Sequence, residues 1–83
     1  MEPKYYTTQV EPLTKSQKIE PECNEILFVN KPTEVITCSV NGFPLAPGEF
    51  WGVPGNFGEI DKTKYFVEIP AGGRLWMIKK NYL

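Results

Sequence analysis

Two segments of the chain alternate apolar and polar positions with a period of two, and they set the expected fold class. Over residues 34–41, Ile36, Cys38 and Val40 fall on one side and Val35, Thr37 and Ser39 on the other, the pattern of a half-buried strand. Over 65–69, Tyr65, Val67 and Ile69 oppose Phe66 and Glu68 in the same way. Segment 25–30 is a short apolar run carrying Ile26, Phe28 and Val29. Segment 74–82 differs, with Leu75 and Met77 on one side but Trp76 and Ile78 on the other. Apolar residues on both faces imply either a central place in a sheet or a second contact surface. No helical stripe is present, so no helix is expected.

Turn chemistry divides these runs. Asn30-Lys31-Pro32-Thr33 is expected to join 25–30 and 34–41 into a hairpin. Asn41-Gly42 is a turn signal of its own. The prolines at 44 and 47 mark Phe43-Pro44-Leu45-Ala46 as an edge or linker strand, because a central strand would lose ladder donors. Residues 49–53 form a further short strand with Phe50 and Trp51, ended by Pro54-Gly55-Asn56. Residues 58–64 read as a polar loop with Ile60 turned inward as an anchor. Pro70-Ala71-Gly72-Gly73 is a tight connection from which 74–82 returns as a strand. Five to seven short strands with frequent Gly/Pro turns predict an all-β fold, a small antiparallel β-sandwich or barrel.

Residues 1–22 are different. Pro3, Pro12 and Pro21 push the preceding glutamates towards extended backbone, and the apolar residues are too scattered for a stripe. The expected organisation is an extended N-terminal arm over 1–22 and a β-sandwich domain over 23–83. Tyr5, Tyr6, Val10, Leu13 and Ile19 suit a strand-like arm lying on another surface, and a floppy tail is the competing reading. An 83-residue chain buries a modest share of its surface, so outside contacts favour the arm.

Composition narrows the chemistry. The chain has no histidine and two cysteines, which is too few ligands for a structural zinc site. Cys38 reads as a small buried apolar residue and Cys23 as a loop thiol, with a Cys23–Cys38 bridge the less favoured alternative. Nine basic residues against ten acidic ones leave no footprint for nucleic acid. No apolar run is long enough for a membrane span, and residues 1–6 lack the apolar core of a secretory signal, so the mature protein is expected to begin where the sequence does. Without histidine, Ser/His/Asp and Cys/His arrangements are excluded. Glu59 and Asp61 are the remaining acid pair; loop solvation and turn capping outweigh catalysis there, and calcium binding with Glu49 and Asn56 lacks EF-hand spacing. Residues 52–58 hold three glycines but no phosphate-loop ending. No enzyme activity and no cofactor are expected.

Eleven aromatic residues exceed what so small a core can bury. Tyr5, Tyr6 and Val10 on the arm, and Phe50, Trp51 and Phe57 at a second contact, are therefore the candidate partner-binding residues. No basic residue interleaves Phe50, Trp51 and Phe57, which disfavours stacking on bases. Carbohydrate stacking on Trp51 or Trp76 stays open.

The stretches Ser39-Val40-Asn41-Gly42-Phe43-Pro44-Leu45-Ala46-Pro47-Gly48-Glu49 and Gly55-Asn56-Phe57-Gly58-Glu59-Ile60-Asp61-Lys62-Thr63-Lys64-Tyr65 resemble small β proteins of tailed phages of Bacteroidota, including crAss-like phages, many of them virion structural components. The resemblance spans about residues 25–83 and carries no catalytic motif. It implies a structural protein located in the virion after synthesis in the host cytoplasm. Decorating or cementing the capsid is the favoured task, and attachment to the tail or fibre is an alternative. The implied partners are the major capsid protein or other virion proteins, with a homo-oligomer possible and neither nucleic acid nor membrane involved. An extended arm that completes a neighbour's sheet edge is one route to such contacts.

Overall fold

A computed structural model describes residues 4–56 and 58–83 and contains eight strands. They are β1 (Tyr6–Leu13), β2 (Gln17–Ile19), β3 (Glu25–Val29), β4 (Cys38–Val40), β5 (Phe43–Leu45), β6 (Phe50–Val53), β7 (Tyr65–Glu68) and β8 (Leu75–Tyr82). The innermost pair is set by local chemistry. Asn41 (φ 49°) and Gly42 (φ 84°) both take positive φ, the two-residue turn that matches strand twist, and they join β4 to β5. Around this hairpin the remaining strands nest: β3 pairs with β6, β2 with β7 and β1 with β8, all antiparallel. Pairings of β3 with β8 and β4 with β7 complete two four-stranded sheets, ordered β1-β8-β3-β6 and β2-β7-β4-β5. A chain folded back as one long nested hairpin and rolled into two sheets has jelly-roll topology.

The core lies between the sheets. Ile26, Phe28, Leu75 and Met77 come from the first sheet, and Cys38, Val40, Leu45, Tyr65 and Val67 from the second; all are buried. The alternation in 65–69 thus faces inward as its pattern predicts, whereas that expected over 34–41 holds as a strand only in β4, with Ile36 half-buried and outside it.

Several expectations change. The runs 25–30 and 34–41 do not form a hairpin, because β3 and β4 belong to different sheets. Asn30 fixes the crossing between them: its buried side-chain amide donates to the carbonyls of Ile36 (2.9 Å) and Leu45 (2.8 Å). The Pro70–Gly73 connection likewise carries the chain from β7 in one sheet to β8 in the other. Ile60 is 61% exposed rather than an anchor. Its neighbour Asp61 ties the loop down instead, its backbone N–H donating to the Cys23 carbonyl at 2.7 Å. Cys23 lies in the connection between β2 and β3, as expected, but is fully buried there, and both cysteines are free.

The segment expected as an arm is the largest difference. β1 pairs with β8 along its whole length, from Tyr6 opposite Tyr82 to Leu13 opposite Leu75, and β2 pairs with β7. Leu13 and Ile19 are buried in the core. Residues 6–13 and 17–19 are therefore edge strands of the same two sheets that 23–83 builds. Even so, β1 is exposed on both faces up to Pro12, including Thr7, Gln9 and Glu11 on its inner side. The β1–β8 ribbon runs past the cover of the second sheet, in keeping with the 46 × 24 × 17 Å shape.

Candidate interaction face

Strand register places residues directly opposite one another on the same face of a sheet. In the first sheet the inner face holds the core residues above. On the outer face, Val10 stands opposite Ile78, Ile78 opposite Leu27, and Leu27 opposite Gly52. The next row runs Pro12, Trp76, Val29 and Phe50. Towards the other end come Thr8, Lys80 and Glu25, then Tyr6 beside Tyr82. Two adjacent rows of apolar side chains thus cross the full width of the sheet. Phe50 is 69% exposed and Val10 59%, whereas Leu27, Val29, Trp76 and Ile78 are half-buried by lying against one another. A contiguous apolar patch is informative where scattered apolar residues are not.

Cations border the patch. Lys31 Nζ sits 4.2 Å from the centre of the Trp76 ring. Lys80 Nζ lies 4.3 Å from the Tyr6 ring and 5.0 Å from that of Tyr82, and the two tyrosines meet edge to face at 6.0 Å. Hydrogen bonding to Tyr82 raises the Lys80 pKa, so the ammonium stays charged. Beside the patch, a groove of about 420 Å³ runs along β3 and β6, lined by Glu25, Leu27, Phe50, Trp51, Gly52 and Pro54 among others. Gly52 shapes this edge. A Cβ there would stand 2.8 Å from Leu27 Cδ1 and 2.6 Å from the Ile26 carbonyl oxygen.

The six residues expected to bind partners are distributed unevenly. Tyr6, Val10 and Phe50 share the outer face. Tyr5 is exposed just before β1, and its carbonyl accepts a hydrogen bond from Leu83. Trp51 turns the other way from Phe50. It packs against the core, stacked with Phe28 and Phe43 at centroid distances of 6.5 and 5.8 Å and edge-on to Tyr65. Phe57 lies outside the described residues. Trp51 is half-buried among three aromatics, and Trp76 is half-buried beneath the Lys31 ammonium. Leu27, Val29, Trp76 and Ile78 were not among the expected site residues. Their signal was the apolar character of 25–30 and 74–82 on both faces.

The acidic loop has its own role. The Asp61 carboxylate accepts hydrogen bonds from the Thr63 N–H (2.8 Å) and from the Tyr65 hydroxyl, and Glu59 accepts from Asn56. Glu49 instead accepts from the Ala46 N–H at 2.6 Å. These acids fasten their own loops. Among the described residues no three His, Cys, Asp or Glu side chains gather to hold a metal ion, and no helix is long and apolar enough to cross a membrane. The fold and this face together describe a small jelly-roll β-sandwich with an apolar outer sheet face. No known protein family, curated protein or solved structure matches the chain.

Proposed function

We propose that this chain is a non-enzymatic structural protein of a tailed-phage virion, fixed to the capsid through protein–protein contacts made by the outer face of its first sheet. The observation that carries the reading is the pair of apolar rows, Val10-Ile78-Leu27 and Pro12-Trp76-Val29-Phe50, presented to solvent between bordering lysines. Apolar centre, aromatic residues and polar rim are the anatomy of a protein interface. Jelly rolls serve in viral capsid domains and in lectins, an analogy of fold that does not by itself choose a function. The sequence resemblance inclines the choice to the virion rather than to the lectin-like alternative.

The test is made on particles of the phage encoding the chain, purified by density gradient. The protein is expected at a fixed copy number per major capsid subunit. Phe50→Ser in the phage genome is expected to lower that number at least about tenfold, while shifting the isolated protein's stability by about 0.5 kcal/mol or less, as for other exposed positions. Protein confined to infected-cell lysate and absent from particles would overturn the reading.

A further inference from the structure

We propose that β1 is a self-association edge, through which two copies join their first sheets into one continuous eight-stranded sheet. The inference is independent of what the outer face meets. It starts from the direction of the backbone groups. The Leu83 N–H donates to the Tyr5 carbonyl at 2.8 Å, one residue beyond the Tyr6–Tyr82 pair. In an antiparallel ladder, residues bonded to the partner strand alternate with residues whose N–H and C=O point away. Tyr5, Thr7, Gln9 and Glu11 therefore bond towards β8, and Tyr6, Thr8, Val10 and Pro12 point their backbone groups outward. Pro12 agrees independently: having no N–H, it stands at a position that owes β8 none.

Among the described residues no strand covers this outward edge. The other sheet edges are short, with four residues in β6 and three each in β2 and β5, and β5 contains Pro44. β1 has eight residues, and nothing but Pro12 at one end blunts it. A long open edge is a template for another strand, and the residue pattern suits a second β1. With a two-fold axis through Thr8, Tyr6 of each copy stands opposite Val10 of the other, and Thr8 opposite Thr8. Every outward N–H from Tyr6 to Val10 then meets a carbonyl without calling on Pro12. Aromatic–β-branched and Thr–Thr pairs are favourable cross-strand neighbours. On the reverse face Thr7 meets Gln9, and Glu11 meets Tyr5 rather than another acid. Shifting the axis to Gln9 instead sets Tyr6 against Pro12, which has no proton to give. The Tyr6–Val10 pairs also carry the apolar outer face across the junction, so the dimer presents one doubled face.

The mass of the purified protein in solution, measured by sedimentation, tests this with Thr8→Pro and Phe50→Ser. Thr8→Pro removes an outward N–H at the axis while leaving the β8 ladder whole. The native protein is expected to dimerise, Thr8→Pro to be monomeric with an unchanged far-ultraviolet spectrum, and Phe50→Ser to remain dimeric. Residue-by-residue hydrogen exchange of the native protein gives a reading that needs no variant. The amides of Tyr6, Thr8 and Val10 are expected to slow at least about tenfold between dilute and concentrated samples, while Thr7 and Gln9 change far less. A monomer at all concentrations, or even-numbered amides indifferent to concentration, would overturn the proposal. A dimer abolished by Phe50→Ser but not by Thr8→Pro would do so too, since it places the copies face to face.

Discussion

The side-chain amide of Asn30 donates to the Leu45 carbonyl at 2.8 Å from a position with no exposed surface. The second hydrogen of the same amide goes to Ile36, and the backbone of Asn30 joins Glu49 and Gly48. One residue thereby holds the end of β3, the crossing segment and the end of β5 together. Its Oδ1 has no protein partner, so Asn30 serves as a donor.

Asn30→Ala is therefore expected to cost about 2–4 kcal/mol, because two buried carbonyls lose their donor together. Asn30→Asp should cost more, since a buried carboxylate would face two carbonyl oxygens with no proton to offer. Urea denaturation checks both: the midpoint should fall in the order native, Ala, Asp. Equal midpoints for the native protein and the alanine variant would show that the crossing is held by something else.

Asp61 and Tyr65 give the protein a pH signature at both ends of the scale. Burial pushes the Asp61 pKa up, but hydrogen bonds from Thr63 and Tyr65 outweigh it and leave the carboxyl below its ordinary value. A carboxyl lowered on folding adds stability above its unfolded pKa, near 4, and that stability is lost as pH falls through the folded value. Burial, then the hydrogen bond to Asp61, raise the Tyr65 hydroxyl far above its ordinary value. Its contribution is complete below about pH 10 and is lost as pH climbs beyond that. Tyr65→Phe should flatten the alkaline loss of thermal stability and weaken the acid one. A variant with both limbs unchanged would remove the pair from the account.

Glycine substitutions separate close approach from backbone strain. A Cβ on Gly55 would stand 1.6 Å from the Asn24 carbonyl oxygen, so Gly55→Ala must move one backbone past another. A loss of about 3 kcal/mol or more is expected. Gly42→Ala meets open space and suffers only the positive φ of its turn, for which about 1 kcal/mol is expected. Thermal unfolding of the two variants should rank them in that order.

The parts of the fold legible in the sequence are those decided within a few residues. Asn41-Gly42 specifies its turn by its own chemistry, and the inward faces of 38–40 and 65–69 follow from alternation. Sheet membership is another matter. Asn30-Lys31-Pro32-Thr33 and Pro70-Ala71-Gly72-Gly73 carry hairpin-like residues, yet both cross between sheets, because Asn30 and the packing of β8 decide where the chain goes next. Residues 1–22 looked like an arm because prolines and scattered apolar residues are local signals. The strand partners of 6–13 and 17–19 lie in β8 and β7, more than forty residues away in sequence. The interaction face was half legible. Tyr6, Val10 and Phe50 stood out as surplus apolar residues, but only the register of four strands brings them to one surface, and the same register turns Trp51 away.

The nested pairing also has a temporal meaning. β4 and β5 are separated by two residues, and each later pair closes over a segment that the previous pair has already drawn together. Bringing ends together costs entropy that grows with the length of free chain between them. Assembly from the inside outward keeps that length short at each step, although β1 and β8 lie at opposite ends of the strand order. The architecture thus favours a folding route that starts at Asn41-Gly42 and finishes with β1, the outermost strand of the nest.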